Sequence, residues 1–182
     1  MIFVVRNNAG KIIGSIRVFK WDRKKILPLQ KLFGINPLKI IHHEKDYSYW
    51  HIGRFAIDSF AGIPTITLFK QLMVYAIHPI VCDDQSFMIA ETDSKLLKVM
   101  NVLGIETIQL GHSINYLASE TIPIYSSKNG LLLFYKHYEN LYQSSWNTLL
   151  CIFTRRSTTN TPLCQRCFLK RTYICKKETI NI

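Results

Sequence analysis

The stretch from Ser86 to Leu110 constrains the fold more than any other. Ser86–Ala90 is a short apolar run that reads as a buried strand. Asp93 or Ser94 can cap a helix whose Leu96, Met100 and Leu103 share one face, and Gly104 offers a natural C-terminal stop. Ile105–Leu110 then returns as a strand. A strand, a capped helix and a second strand in so short a span imply an α/β sheet with helices against it.

The flanking segments extend that sheet. Ile2–Val5 and Ile12–Phe19 are rich in β-branched residues and enclose Asn7-Asn8-Ala9-Gly10-Lys11, the pattern of an antiparallel hairpin. Residues 20–48 are interrupted by Pro28, Gly34 and Pro37 and read as a loop with one short helix. Tyr49–Ile57 is strand-like and ends at Asp58. Pro64 and Thr65 open a helical segment with Ile66, Phe69, Met73 and Ile77 near one face. Leu68, Leu72 and Tyr75 make the rest of it apolar, so a mostly buried helix ending at Pro79 is expected. Thr121–Tyr125 and Leu131–Tyr135 flank Lys128-Asn129-Gly130, where Asn-Gly predicts a hairpin. The order is that of a mixed, twisted sheet flanked by helices. Past Asn140 no period is sustained. Residues 1–139 therefore read as one core, and 140–182 as an appended, basic, cysteine-containing tail without regular structure.

Composition matters here mainly for what it excludes. With 48% hydrophobic and 19% charged residues, a disordered chain is ruled out. No apolar run approaches the ~20 residues that span a bilayer. Arg6 interrupts the opening Met-Ile-Phe-Val-Val, so this is not a signal peptide. A cytoplasmic protein is expected, with its five cysteines reduced. The net charge of +11 is concentrated: residues 151–182 carry Arg155, Arg156, Arg166, Lys170, Arg171, Lys176 and Lys177 against Glu178 alone. The remaining +5 over 150 residues suits an anionic substrate as well as it suits an ordinary solvated surface.

One phrase carries a resemblance. Trp50-His51-Ile52-Gly53-Arg54-Phe55-Ala56-Ile57-Asp58 resembles the central-strand signature of the acyl-homoserine lactone synthases and N-acyl amino acid synthases. These form a branch of the GNAT (Gcn5-related N-acetyltransferase) superfamily. Ala90-Glu91-Thr92 leading through a helix to Val102-Leu103-Gly104-Ile105, and Thr121-Ile122-Pro123-Ile124-Tyr125 before Gly130-Leu131, are similar to the family's later elements. The resemblance covers roughly residues 1–138. It implies a GNAT-like fold and an N-acyltransferase moving an acyl group from a thioester, acyl carrier protein or CoA, to a small amine. In that fold the donor's arm lies where two parallel strands splay, here Tyr49–Ile57 and Ser86–Ala90. The resemblance implies that a backbone N–H at Gly53 polarises the thioester carbonyl. Gly53 equally suits a simple bend in the strand. Phe55, Ala56 and Ile57 would line the donor's arm, and Gly62 and Thr65 would hold a phosphate at the helix start.

The departures from the family are specific. An acidic residue is expected three positions before Arg54, and His51 stands there. Neutral imidazole can take the proton of an amine, so His51 is the candidate base. A histidine merely packed beside the sheet is the competing reading. Arg54 is the candidate for organising the site or contacting anionic groups. Asp58-Ser59-Phe60-Ala61-Gly62-Ile63-Pro64 replaces the phosphate loop of CoA-dependent members, which tilts the donor toward acyl carrier protein without excluding CoA. In the family a first strand and two helices precede the hairpin at which Met1 sits. An N-terminally truncated core is therefore expected, with the Ile2–Arg6 edge unpaired, and a non-catalytic paralogue is the alternative function.

Other signals are weaker. His42-His43-Glu44-Lys45-Asp46 is one residue short of the condensation-type His-His-x-x-x-Asp motif. His42, His43 and His51 have no defined ligand spacing, so no metal is expected. Cys164-Gln165-Arg166-Cys167 with Cys151 and Cys175 could share zinc, and the basic tail with Phe153, Phe168 and Tyr173 could meet nucleic acid. An unstructured tail with incidental cysteines is the favoured reading, and nucleic acid is not an expected partner.

Overall fold

The computed structural model describes residues 1–41 and 47–142 and the backbone of residues 143–144 and 149–152. The proposed tail sites at Phe153, Cys164, Cys167, Phe168, Tyr173 and Cys175, and the His42–Asp46 motif, lie outside the described residues. Strands β1 (Ile2–Arg6) and β2 (Ile12–Lys20) form the expected hairpin. Helices α1 (Pro28–Phe33) and α2 (Pro37–Ile40) follow, then β3 (Ser48–Ile57), α3 (Thr65–Val81), β4 (Ser86–Asp93) and α4 (Ser94–Val102). The chain continues through β5 (Ile108–Gln109), β6 (Ile114–Tyr116), β7 (Ser119–Ser127), α5 (Lys128–Tyr138), α6 (Asn140–Ser144) and β8 (Leu149–Ile152).

The sheet runs β5-β7-β4-β3-β2-β1-β8, with β6 also pairing β7. β3 and β4 are parallel, in the register Ser48↔Ser86 to Ile52↔Ala90. Their neighbours on either side are antiparallel. One face of the sheet is closed by α3, whose Leu72, Ala76, Ile77 and Ile80 are fully buried, together with Met100 of α4 and Leu131 and Phe134 of α5. The other face carries a second cluster in which Trp21, Leu27, Leu29 and Ile41 pack on Tyr49, Phe87 and Ile89. The segment between β2 and β3 is therefore the cover of the second face.

Several elements depart from expectation for identifiable reasons. Residues 20–48 hold two helices, because Pro28 and Pro37 each sit at the first helical position, where the missing N–H is not needed. Pro79 does not end α3. It removes one backbone bond, but the buried side chains on both sides of it hold the last turn in place. Ile66 is 41% exposed, outside the buried face of that helix. The Asn-Gly hairpin and the Leu131–Tyr135 strand are absent, and α5 occupies their place. Ser127 caps it by accepting a bond from the Gly130 N–H at 3.2 Å, and Leu131 and Phe134 fall on one helical face. Gly130 answers to packing: an added Cβ would lie 2.8 Å from Ser126 Oγ and 3.0 Å from the Glu106 carbonyl. Only Ile108–Gln109 of the expected Ile105–Leu110 strand pairs in the sheet. The outer edge of β1 is not unpaired either, since β8 lies antiparallel along it from Ile2↔Ile152 to Val5↔Leu149.

A ring cluster fastens α6 to α3 and α5. His78 stacks on Tyr142 at 3.9 Å, and its Nδ1 lies 2.7 Å from the Tyr135 hydroxyl. Burial pushes the His78 imidazole down from its ordinary 6.5 to about 4. Between those values the unfolded chain binds a proton that the folded chain refuses. Stability is therefore complete above pH 6.5 and declines as the pH falls toward 4. The loss should reach about 2 kcal/mol after allowance for partial exposure. Urea midpoints at pH 7.5 and 4.5 should differ more in the wild-type protein than in His78→Gln; equal differences would refute the assignment.

Candidate active site

The parallel ladder of β3 and β4 ends at Ile52↔Ala90, and beyond it β3 stays paired only with β2. Past Ile52 the side of β3 that had faced β4 therefore borders a gap at the carboxyl ends of two parallel strands, the usual place for a ligand in such sheets. On the β2 side, Arg17 pairs with Gly53 and Ser15 with Ala56, so Arg54 and Phe55 oppose the single residue Ile16. This is a β-bulge, and Arg54 occupies it with φ +52°. A left-handed arginine is strained by about 1–2 kcal/mol, a feature that clusters at functional sites.

His51 lies one turn of the pleat before the bulge and is 1% exposed. Its ring packs 5.1 Å from that of Phe19, its partner on β2. Its Nε2 meets Glu91 Oε2 at 3.0 Å and Oε1 at 3.4 Å, from the continuation of β4 beyond the ladder. An ionised carboxylate only accepts, so Nε2 carries the hydrogen, and in the neutral imidazole Nδ1 then holds the lone pair. Among the described residues Nδ1 is buried without a hydrogen-bond partner. The Arg17 Nε is buried in the same way, and the Arg17 guanidinium stands 5.1 Å over the Phe19 ring. Burial, and then the charge of Arg54, pull the Arg17 guanidinium below its ordinary value, while Glu91 acts against them. Arg17, Arg54, Glu91 and His51 therefore form one charged group where the strands part.

Gly53 belongs to this group for a reason the sequence does not disclose. The bulge falls on the next residue, and Gly53 itself has no positive φ. A Cβ on Gly53 would stand 2.8 Å from Cε1 of His51. Glycine is there so that the imidazole can lie across the strand and reach Glu91.

The remaining expected site residues are not gathered around His51. Phe55 packs edge-on against Phe69 of α3 at 5.4 Å, and Ile57 joins the same cluster, on the sheet face opposite His51. Ala56 is exposed beside Ser15, and Gly62 and Thr65 are exposed before and at the start of α3. Asp58 turns away to Lys11, 2.9 Å from its Nζ. Glu91 and Arg17 are the members of the group that sequence reasoning missed. Glu91 has a signal in principle, since it follows Ala90, the residue that the parallel register sets beside Ile52. Among the described residues no group of three or more His, Cys, Asp or Glu side chains is placed to hold a metal ion, and no helix is long and apolar enough to cross a membrane.

No protein-family profile matches the sequence, and no curated protein matches it. Solved structures do match the fold. The acyl-homoserine lactone synthase LasI is 16% identical with a TM-score of 0.56, over 70% of this chain and 65% of LasI. BjaI, a CoA-dependent acyl-homoserine lactone synthase solved with SAM and isopentyl-CoA, is 12% identical with a TM-score of 0.55, over 75% of this chain and 64% of BjaI. FeeM, an N-acyl amino acid synthase from uncultured soil microbes, is 18% identical with a TM-score of 0.50, over 70% of this chain and 72% of FeeM. The chain has the GNAT-like fold of these synthases and spans about two thirds of their length.

Proposed function

We propose that this chain is a cytoplasmic N-acyltransferase, taking an acyl group from a thioester of acyl carrier protein or CoA and giving it to a small amine. The observation that carries this reading is the buried His51–Glu91 pair at the point where β3 and β4 separate. The acyl-transferring character of the structural neighbours supports it.

The geometry supports the following chemistry. The amine nitrogen attacks the thioester carbonyl, and the lone pair of His51 Nδ1 takes the proton that the nitrogen must lose. Glu91 stabilises the imidazolium that results. The tetrahedral oxyanion meets backbone N–H at the bulge, past the end of the β4 ladder; the Gly53 N–H itself lies on the side of β3 that pairs with Arg17 of β2. Collapse of the intermediate breaks the C–S bond, and the departing thiolate recovers a proton. Arg54 and Arg17 supply positive charge for the oxyanion or for an anionic part of either substrate. Gly62 and Thr65 offer open N–H groups at the start of α3.

The test is thioester consumption by the purified chain, with acyl-carrier-protein and CoA donors of several acyl lengths and pooled amines. Turnover that requires an amine is the expected result. A folded, soluble protein that consumes no thioester would reject the proposal in favour of a non-catalytic paralogue.

A further inference from the structure

The cover of the second sheet face holds a charge that the rest of the core does not. Between residues 20 and 41, Lys20, Arg23, Lys24, Lys25, Lys31 and Lys39 stand against Asp22 alone, a net +5. That equals the whole net charge of residues 1–150, where the ten other basic and ten other acidic side chains cancel. Lys20 is tied to Asp83 at 3.0 Å, and Lys25 lies 3.7 Å from Asp22. Lys24, Lys31 and Lys39 are exposed, and none has an acidic partner among the described residues. Aliphatic side chains stand out of the same cover, held outward by anchored neighbours. Ile26 is 77% exposed between the buried Leu27 and Lys25, whose carbonyl accepts from the Trp21 indole at 2.7 Å. Leu38 and Ile40 are exposed on either side of Lys39, between the buried Pro37 and Ile41. Trp21, Leu27, Leu29 and Ile41 face the sheet, so the outer side is left with aliphatic groups interleaved with lysines.

We infer that the outer side of this cover docks the protein on an anionic lipid surface. The lysine ammonium groups meet lipid phosphates, while Ile26, Leu38 and Ile40 enter the boundary between headgroups and acyl chains. Charge alone would suit nucleic acid as well, but stacking on bases needs open rings, and Trp21 is buried. A protein partner gathers its apolar contacts at the centre of an interface, whereas here each aliphatic group stands beside a lysine. Phe19 packs against the same cluster and against His51, so docking sets the His51 face of the sheet toward the lipid. The inference goes beyond the acyl-transfer reading and does not depend on it.

Co-sedimentation of the full chain with vesicles tests it, using phosphatidylcholine mixed with phosphatidylglycerol and phosphatidylcholine alone. The wild-type protein should bind the anionic vesicles and hardly bind the neutral ones. With the basic tail intact, Lys24→Gln/Lys39→Gln should weaken that binding about thirtyfold, and Ile26→Ser about tenfold. Urea midpoints should stay unchanged, because all three side chains are exposed. Absence of binding to anionic vesicles would overturn the inference and leave the cover to an acidic protein. Binding indifferent to the lysine pair would overturn it too, by moving the contact to residues 151–182. A loss with the lysines but none with Ile26→Ser would overturn the insertion of the aliphatic groups. Cover-dependent vesicle binding by a protein that consumes no thioester would support this surface while rejecting the proposed acyl transfer.

Discussion

Acyl transfer by His51→Ala should fall by roughly 10²–10⁴-fold, the range lost when a positioned base is removed. The same substitution should lower stability by only about 1–3 kcal/mol. It empties a space beside Phe19 and Ile89 and leaves Glu91 without its donor, but breaks no backbone pairing. Glu91→Gln sharpens the test. Its amide keeps the volume but lacks the charge that stabilises an imidazolium, so it should retain more stability than His51→Ala and still lose about tenfold or more in kcat. Turnover and urea midpoints measured on the three proteins decide the matter. A His51→Ala protein that loses activity only in proportion to its folded fraction would return His51 to the role of a packed core histidine.

How far His51 could be read in advance shows what local sequence carries. The strand that bears it, the preceding hairpin and the Asp93-capped helix α4 were legible, because each rests on residues adjacent in the chain. Asp93 accepts from the N–H groups of Lys95 and Leu96 as a capping residue should. The partner of His51 was not legible, since Glu91 is 40 residues away and acquires its meaning only from the parallel register. Gly53 answers also to a constraint that the local pattern does not carry. A glycine in a strand suggests a bend or a close backbone approach, and here a side chain two residues back on the same face leaves no room for a Cβ. Asn129-Gly130 misled for a related cause: Ser127 and the face formed by Leu131 and Phe134 outweigh a turn dipeptide when a sheet is available to pack against. The covered edge of β1 could not be foreseen, because β8 lies in a stretch without a sustained period.

Arg54→Gly should make the protein more stable and a much poorer catalyst. At φ +52° a side chain costs about 1–2 kcal/mol that glycine does not incur. Glycine in turn adds about 0.4–1 kcal/mol of freedom to the unfolded chain. Relief of the charge that Arg54 shares with Arg17 acts in the same direction as relief of strain, though solvent screens it because Arg54 is exposed. The net expectation is a gain of about 0.5–1 kcal/mol, read as a higher urea midpoint. If the guanidinium works on the developing oxyanion or an anionic substrate group, its removal should lower kcat/KM by about a hundredfold, the range for one preorganised donor. Arg54→Lys separates charge from shape: it keeps the strain and the positive charge but loses the planar fork, so its activity should lie between the two. A stabilised Arg54→Gly with wild-type turnover would mean that the left-handed arginine serves the bulge alone, and that the positive charge of the site comes from Arg17.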